Sequence, residues 1–302
     1  MANFPRDLNA PDATALLQQL RSGTLIAEQL TTQHLQRLHE SQADVNGATH
    51  ILHEQAITRA RELDASGDKS LPLFGLPCSI KETFGLAGEQ VTAGSIRMKP
   101  EQHQQHSEIV QRLVDAGAVV MARSNVPEFA MTGESTNLRF GRTNNPLDTS
   151  RVAGGSSGGE GALVGSGACV FGVGSDILGS IRIPAAFCGT VGFKPHSGGV
   201  DKTGTWPTVN GNSKTWLALG PLTRSVRDAQ LVYNVISDEP IADADISGRL
   251  VTPRNFPLRF LQPQVETALQ VARESVLEAG LVEESPEFTD IPRLFKNMPK
   301  LI

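Results

Sequence analysis

Ala153-Gly-Gly-Ser-Ser-Gly-Gly-Glu-Gly-Ala162 is followed by Gly174-Ser-Asp-Ile-Leu-Gly-Ser-Ile-Arg-Ile-Pro184 and then by Phe187-Cys-Gly-Thr-Val-Gly-Phe-Lys-Pro195. Residues 151–200 hold 14 of the 29 glycines in the chain. Glycine loses more conformational freedom on folding than any other residue. Such a density therefore needs a backbone reason: tight turns, positive φ, or close approach to a ligand. A flexible linker would lack apolar runs. This block carries two, Ala162-Leu-Val164 and Val170-Phe-Gly-Val173. It reads as a packed segment that builds a site.

On both sides of the block, apolar periodicity switches between helix and strand. Leucines and isoleucines at helical spacing predict helices over 13–21 and 26–39, with a third over 54–63. Residues 73–80 are apolar, carry Gly75 and Pro77, and suit a short strand entering the core. Ser107 is placed to cap a helix over 108–117, with Gly117 as its stop. A buried strand over 118–122 follows. Residues 158–167 and 170–174 give another helix and strand, and 225–236 and 263–280 are helical. Residues 240–245 read as a surface loop. Strands alternating with helices imply a largely buried, mostly parallel sheet. No internal repeat or domain boundary stands out, so residues 1–302 are expected to form one domain.

Composition removes several classes of function. The 27 Lys and Arg against 32 Asp and Glu leave a net charge of −5, with no basic footprint for nucleic acid or an anionic membrane. No run approaches the length of a membrane span. Residues 1–20 lack a basic segment followed by an apolar core, so no signal peptide is expected. Three cysteines, Cys78, Cys169 and Cys188, cannot all pair and show no CxxC spacing. They read as reduced thiols of a cytoplasmic chain, and structural zinc on them is excluded.

Other chemistries fail on their motifs. A phosphate loop needs GxxxxGK[ST], and no Gly-Lys pair occurs. The dinucleotide fingerprint GxGxxG is missing from the glycine block. Gly155-Ser-Ser-Gly-Gly159 satisfies GxSxG, but a nucleophile elbow needs a strand immediately before it. Residues 144–152, with Pro146, Asp148 and Arg151, read as loop. His50 with His53, and His103 with His106, have i,i+3 spacing but no supporting carboxylate motif. They read as solvated surface, and no metal is expected.

What survives is an ordered set. Pro77-Cys-Ser-Ile-Lys-Glu82 and Asn125-Val-Pro-Glu-Phe-Ala130 stand upstream of the glycine block, and Gly220-Pro-Leu-Thr-Arg-Ser-Val-Arg-Asp228 stands downstream. Together these motifs resemble the amidase signature family. The likeness runs over about residues 16–287 and is most specific over 73–228. The Glu160-Gly-Ala-Leu163 variant is similar to the branch of fatty acid amide hydrolases and general amidases.

The resemblance implies an α/β fold whose central mixed, mostly parallel, sheet is flanked by helices on both faces. It implies that Ser180 is the acylating nucleophile. Ser156, at a cis peptide, would bridge Ser180 to Lys81, and neutral Lys81 would be base and then acid. The N–H groups of Ile177, Leu178, Gly179 and Ser180 would form the oxyanion hole. Ser157, Asp176 and Arg182 would support these loops, with Met131, Thr132 and Ile181 either lining the acyl pocket or packing in the core. Cys188 is expected as a core thiol. Trp206, Asn210 and Trp216 fall in a loop region after the signature. No cofactor is implied.

Two features depart from the family pattern. Leu178 stands where glycine is usual, inside the oxyanion turn, and would be strained if that position needs positive φ. Family members usually continue well past the position of Glu287, whereas 292–302 carries no convincing final element. A shortened chain, completed by a second chain or forming a homo-oligomer, is therefore one expectation.

The chemistry fits the residues independently. Amide hydrolysis needs a nucleophile, a base that later protonates the leaving amine, and donors for the oxyanion. A lysine serves as base only if its pKa falls by ~3 units from about 10.4, which burial can supply. Lys81 follows the apolar run 76–80, at the expected end of a buried strand. The expectation is hydrolysis of a small-molecule carboxylic amide, with the tips of Lys81, Ser156 and Ser180 in direct contact. The rivals are the glutaminase component of a tRNA-dependent amidotransferase, an esterase, and a remnant without activity.

Overall fold

A computed structural model describes residues 10–208, 214–242, 248–251 and 262–285. Pro77–Lys81 (β2 below) is buried at every position and sits at the centre of a six-stranded sheet. The strands are β1 (Ala48–Ile51), β2 (Pro77–Lys81), β3 (Val119–Ser124), β4 (Phe171–Asp176), β5 (Val191–Gly192) and β6 (Ala218–Thr223). Their order is β1-β3-β2-β4-β6-β5. β2 pairs in parallel with β3 and β4. The β1–β3, β4–β6 and β6–β5 pairs are antiparallel. The sheet is mixed, as expected, but its parallel pairs are confined to the centre. Helix–strand alternation overstates the parallel share: β1 and β5 each follow a helix, α2 and α6 in turn, yet both run antiparallel to their neighbours.

The helices are α1 (Ala13–Ser22), α2 (Ala27–Val45), α3 (His53–Ser66), α4 (Glu108–Asp115), α5 (Gly158–Gly165), α6 (Arg182–Cys188) and α7 (Val226–Ile236). Sequence signals place most of their ends. Asp12 caps α1 by accepting from Ala15 N, and Gly23 closes it at φ 79°. Ser225 caps α7 by accepting from Asp228 N. Ser107 precedes α4, but its hydroxyl makes no cap bond. Gly117 takes φ 88° just beyond that helix. Residues 144–152, expected as loop, form a small hairpin of Asn144–Asn145 with Asp148–Val152, and Pro146 lies in its turn.

α5 explains the glycine density. Every residue of this helix is buried, and it packs on β2, β3, β4 and β6. A side chain on Gly159 would collide with the Asn125 backbone, and one on Gly161 would meet Pro184 at 2.9 Å. The backbone of α5 is thus brought against its neighbours with nothing between. The main apolar core gathers Leu76, Ile80, Val119, Leu163, Phe171 and Val173, all under 2% exposed. Full burial of each such large side chain contributes roughly 1.5–3 kcal/mol.

The chain falls into two compact units, Met1–Ile241 and Ala242–Ile302. The sheet and α1–α7 lie in the first. The second contains α8 (Pro263–Glu278) and a parallel pair, β7 (Arg249–Val251) with β8 (Val282–Glu284). It is tied internally by Arg273 to Glu283 and by Arg249 to Glu284. Residues 292–302 and part of 240–245 lie outside the described residues. No helix among the described residues is long and apolar enough to cross a membrane.

Candidate active site

β2 carries Lys81 into the interior, where it is fully buried. Its Nζ lies 2.7 Å from Ser156 Oγ, 3.0 Å from Ser157 Oγ and 2.9 Å from Ser175 Oγ. An ammonium would donate to all three hydroxyls. A neutral amine donates to two and accepts from the third. Burial pulls Lys81 down from 10.5 to about 7, against the upward pull of Glu160 and then Asp176. The dry strand end expected from the apolar run before Lys81 is therefore present, and with it a lysine that is partly neutral near pH 7.

The two serines enter from the loop before α5. The Gly155–Ser156 peptide is cis, as the resemblance implied. Ser157 does more than hold its loop. Its N–H donates to the Ser180 carbonyl at 3.0 Å, and its hydroxyl is a partner of Lys81. Gly174 leaves room for that hydroxyl: an added Cβ would lie 2.6 Å from Ser157 Oγ.

Ser180 stands on the turn between β4 and α6. The Ser157–Ser180 backbone bond brings this turn to the serine loop. The expected direct contact between side chains is half made: Lys81 meets Ser156, while the Ser180 hydroxyl has no hydrogen-bond partner among the described residues. The N–H groups of Ile177, Leu178 and Ser180 make no hydrogen bond among the described residues. Gly179 differs from expectation. Its N–H donates to Asp176 Oδ1 at 2.7 Å, so three of the four expected oxyanion donors are unengaged. The positive φ of the turn falls on Gly179, at 116°, and not on Leu178. The strain feared at Leu178 is absent, and its side chain is 42% exposed.

Asp176 organises the turn. Its carboxylate accepts from the N–H groups of Gly179, Ile181 and Arg182 and from the Arg182 guanidinium. Burial alone would raise its pKa, but Arg182 and the Gly179 and Ile181 N–H groups hold it below the usual carboxylate value.

The pocket residues separate. Met131 and Thr132 are exposed, and the 132–134 backbone packs on Gly155, beside Ser156. Ile181, read as pocket wall or core, is fully buried with Ala185 and Leu222. The first residue after the turn faces the sheet, and periodicity alone could not tell the two faces apart. Cys188 is the core thiol expected, packed with Val45, Ala153 and Ala162, and burial pushes it up to about 12. Trp206 reaches the end of β2 by donating from its N–H to the Thr83 carbonyl, and its ring lies 5.7 Å from that of Phe129. Trp216 is half-buried, and Asn210 lies outside the described residues.

Sequence reasoning missed Ser175 and Ser135. Ser175 is the third hydroxyl on Lys81, and its signal was a hydroxyl directly before Asp176. Ser135 accepts from Gly158 N at 2.9 Å and donates to the Ser156 carbonyl at 3.3 Å, fixing the serine loop from behind. No local pattern marks it. The described residues hold no group of three or more His, Cys, Asp and Glu able to grip a metal.

The Amidase family profile matches residues 29–296. A glutamyl-tRNA(Gln) amidotransferase component of Nitratidesulfovibrio vulgaris (strain DP4), its A-type subunit, is 35% identical over 293 residues, which cover 90% of this chain and 59% of that protein. A crystal structure of an amidase superposes with a TM-score of 0.87 at 30% identity, covering 97% of this chain and 67% of that one. Fatty acid amide hydrolase superposes with a TM-score of 0.85 at 25% identity, covering 97% of this chain and 55% of that one. The chain spans about 60% of the length of the curated relatives it matches. Sequence match, fold and the order of the serine and lysine motifs agree: the chain belongs to the amidase signature family.

Proposed function

We propose that this chain hydrolyses a small carboxylic amide to an acid and ammonia or an amine, through an ester on Ser180. The observation that carries the reading is the fully buried Lys81 amine, 2.7 Å from Ser156 Oγ and drawn down to about 7. Neutral Lys81 accepts the Ser156 proton as Ser156 accepts that of Ser180, whose oxygen attacks the amide carbon. The proton returns through Ser156 to the leaving nitrogen as the C–N bond breaks. Water then cleaves the ester by the same relay. Ile177, Leu178 and Ser180 supply N–H groups for the oxyanion. The Ser180 hydroxyl turns onto Ser156 when substrate fills the site. The scheme draws on neither metal nor cofactor, and reduced thiols at Cys78, Cys169 and Cys188 suit a cytoplasmic setting.

A fluorophosphonate probe tests this reading. Mass spectrometry of the labelled chain is expected to place the adduct on Ser180, and Ser180→Ala is expected to remove it. A folded chain that takes no label at Ser180, or takes it elsewhere, overturns the reading in favour of an inactive remnant. A panel of matched amides and esters then separates amidase from esterase.

The amidotransferase relative in Nitratidesulfovibrio vulgaris supports a second reading, glutamine hydrolysis within a multi-chain amidotransferase. Glutaminase activity that appears only when partner subunits are added would favour it.

A further inference from the structure

Glu160 lies in the first turn of α5 and is fully buried. The Ser79 hydroxyl donates to its Oε2, and the buried Ser124 hydroxyl of β3 also acts on the carboxyl. The cavity is shaped for this carboxyl: any side chain on Gly172 of β4 would collide with Oε2. Ser79 and Lys81 are two residues apart on β2 and so project from the same face. That is the face α5 covers, so a carboxyl and an amine share one dry layer.

The other ionisable groups around this layer are already committed. On β4, Asp176 is paired with Arg182 of α6. Cys78 of β2 and Cys169, just ahead of β4, are thiols that burial raises, so they stay uncharged. On β3, Arg123 donates to the Gln90, Glu82 and Phe84 carbonyls, and the carboxylates acting on it are Glu82 and Glu89. Lys81 is the cation that acts on Glu160.

We propose that Glu160 is a positioning residue for Lys81, its carboxylate setting the pH at which the lysine releases its proton. The inference rests on the hydrolytic role proposed for Lys81. Burial by itself drives a lysine toward the neutral form, and an anion in the same low-dielectric layer opposes it. Glu160 therefore keeps the amine basic enough to strip a serine and still able to hand the proton on. Burial raises Glu160 itself, and the Lys81 cation pulls it back down, so the titrations of the two groups are linked.

The test uses the full chain and Glu160→Gln, which keeps the shape and removes the charge. Lys81 is followed by nuclear magnetic resonance of labelled lysine side chains, assigned by its loss in Lys81→Met. Fluorophosphonate labelling is followed against pH in parallel. In E160Q the Lys81 midpoint is expected to fall, and one pH unit below the unmodified chain's midpoint labelling is expected to be about fivefold faster relative to its own plateau. An unmoved Lys81 midpoint in folded E160Q overturns the proposal, since a merely structural role would leave it there.

If E160Q does not fold, the reciprocal measurement decides. Linkage requires Lys81→Met to raise the midpoint of the buried carboxyl band in the infrared spectrum, and an unchanged band overturns the proposal. A chain that shows the coupled titration but is never labelled at Ser180 overturns the hydrolase reading and leaves the coupling standing.

Discussion

Asp176 and Arg182 meet in a two-pronged pair, with Nε 3.0 Å from Oδ2 and Nη2 3.0 Å from Oδ1, and the same carboxylate gathers three N–H groups of the turn that carries Ser180. The guanidinium is half exposed, so the ion pair itself contributes little. The carboxylate is buried, and its turn depends on it. Asp176→Asn places an amide N–H₂ where an acceptor is needed and is expected to cost about 1–3 kcal/mol in denaturant unfolding. It should also slow labelling of Ser180 well beyond the effect of Arg182→Lys. Equal effects from the two variants would show that the exposed pair, and not the turn, is what matters.

Labelling of Ser180 is expected to rise with pH through about 7 and then level off. The sign follows from the shift: Lys81 is drawn down from 10.5 to about 7, so the neutral amine is present above that value and lost below it. Rates measured across pH 5–9 with an uncharged fluorophosphonate check this. A profile that is flat, or that falls as pH rises, would remove Lys81 from the relay.

Lys81→Met separates function from stability. The variant is expected to slow labelling by at least about a hundredfold, the usual contribution of a general base. Its unfolding free energy at pH 7 is expected to stay within about 1 kcal/mol of the unmodified chain or to exceed it, since a buried charge-bearing group is exchanged for an apolar one. Between about 7 and 10.5 the unfolded chain holds a proton on Lys81 that the folded chain has lost, so this lysine's penalty shrinks as pH rises. The unmodified chain should therefore gain stability relative to Lys81→Met as pH rises through that window, and chemical denaturation at pH 7, 8 and 9 measures the gain.

These properties were unequally legible in the sequence. The strand ending at Lys81 and the helix after Ser157 were readable, because short apolar runs bounded by glycine and proline have few ways to pack. The burial of Lys81 followed from the same run. The directions of the outer strands were not readable, because alternation of helix and strand does not state on which side a strand joins. Ser175 and Ser135 escaped because their roles depend on segments distant in sequence, β2 for one and the serine loop for the other. Ile181 could be read as pocket wall or as core for a related reason. One step along a turn exchanges a pocket wall for the core, and only the hydrogen bonds of Asp176 settle which residue faces which way.

Leu178 and Gly179 are adjacent, and their substitutions are expected to behave oppositely. Leu178 does not take a positive φ and is 42% exposed. Leu178→Ala should change unfolding free energy by no more than about 0.5 kcal/mol, as for other exposed sites, and should speed labelling by probes with bulky acyl mimics. Gly179 has φ 116°, and a Cβ there would stand 2.8 Å from Ile183 Cδ1. Gly179→Ala should therefore cost about 1–3 kcal/mol and displace the N–H groups beside Ser180, slowing every probe alike. Denaturant unfolding and labelling of the two variants form the comparison. If Leu178→Ala proved the more damaging, the conformational burden of the turn would lie on the leucine, and the oxyanion geometry argued for Ser180 would fail with it.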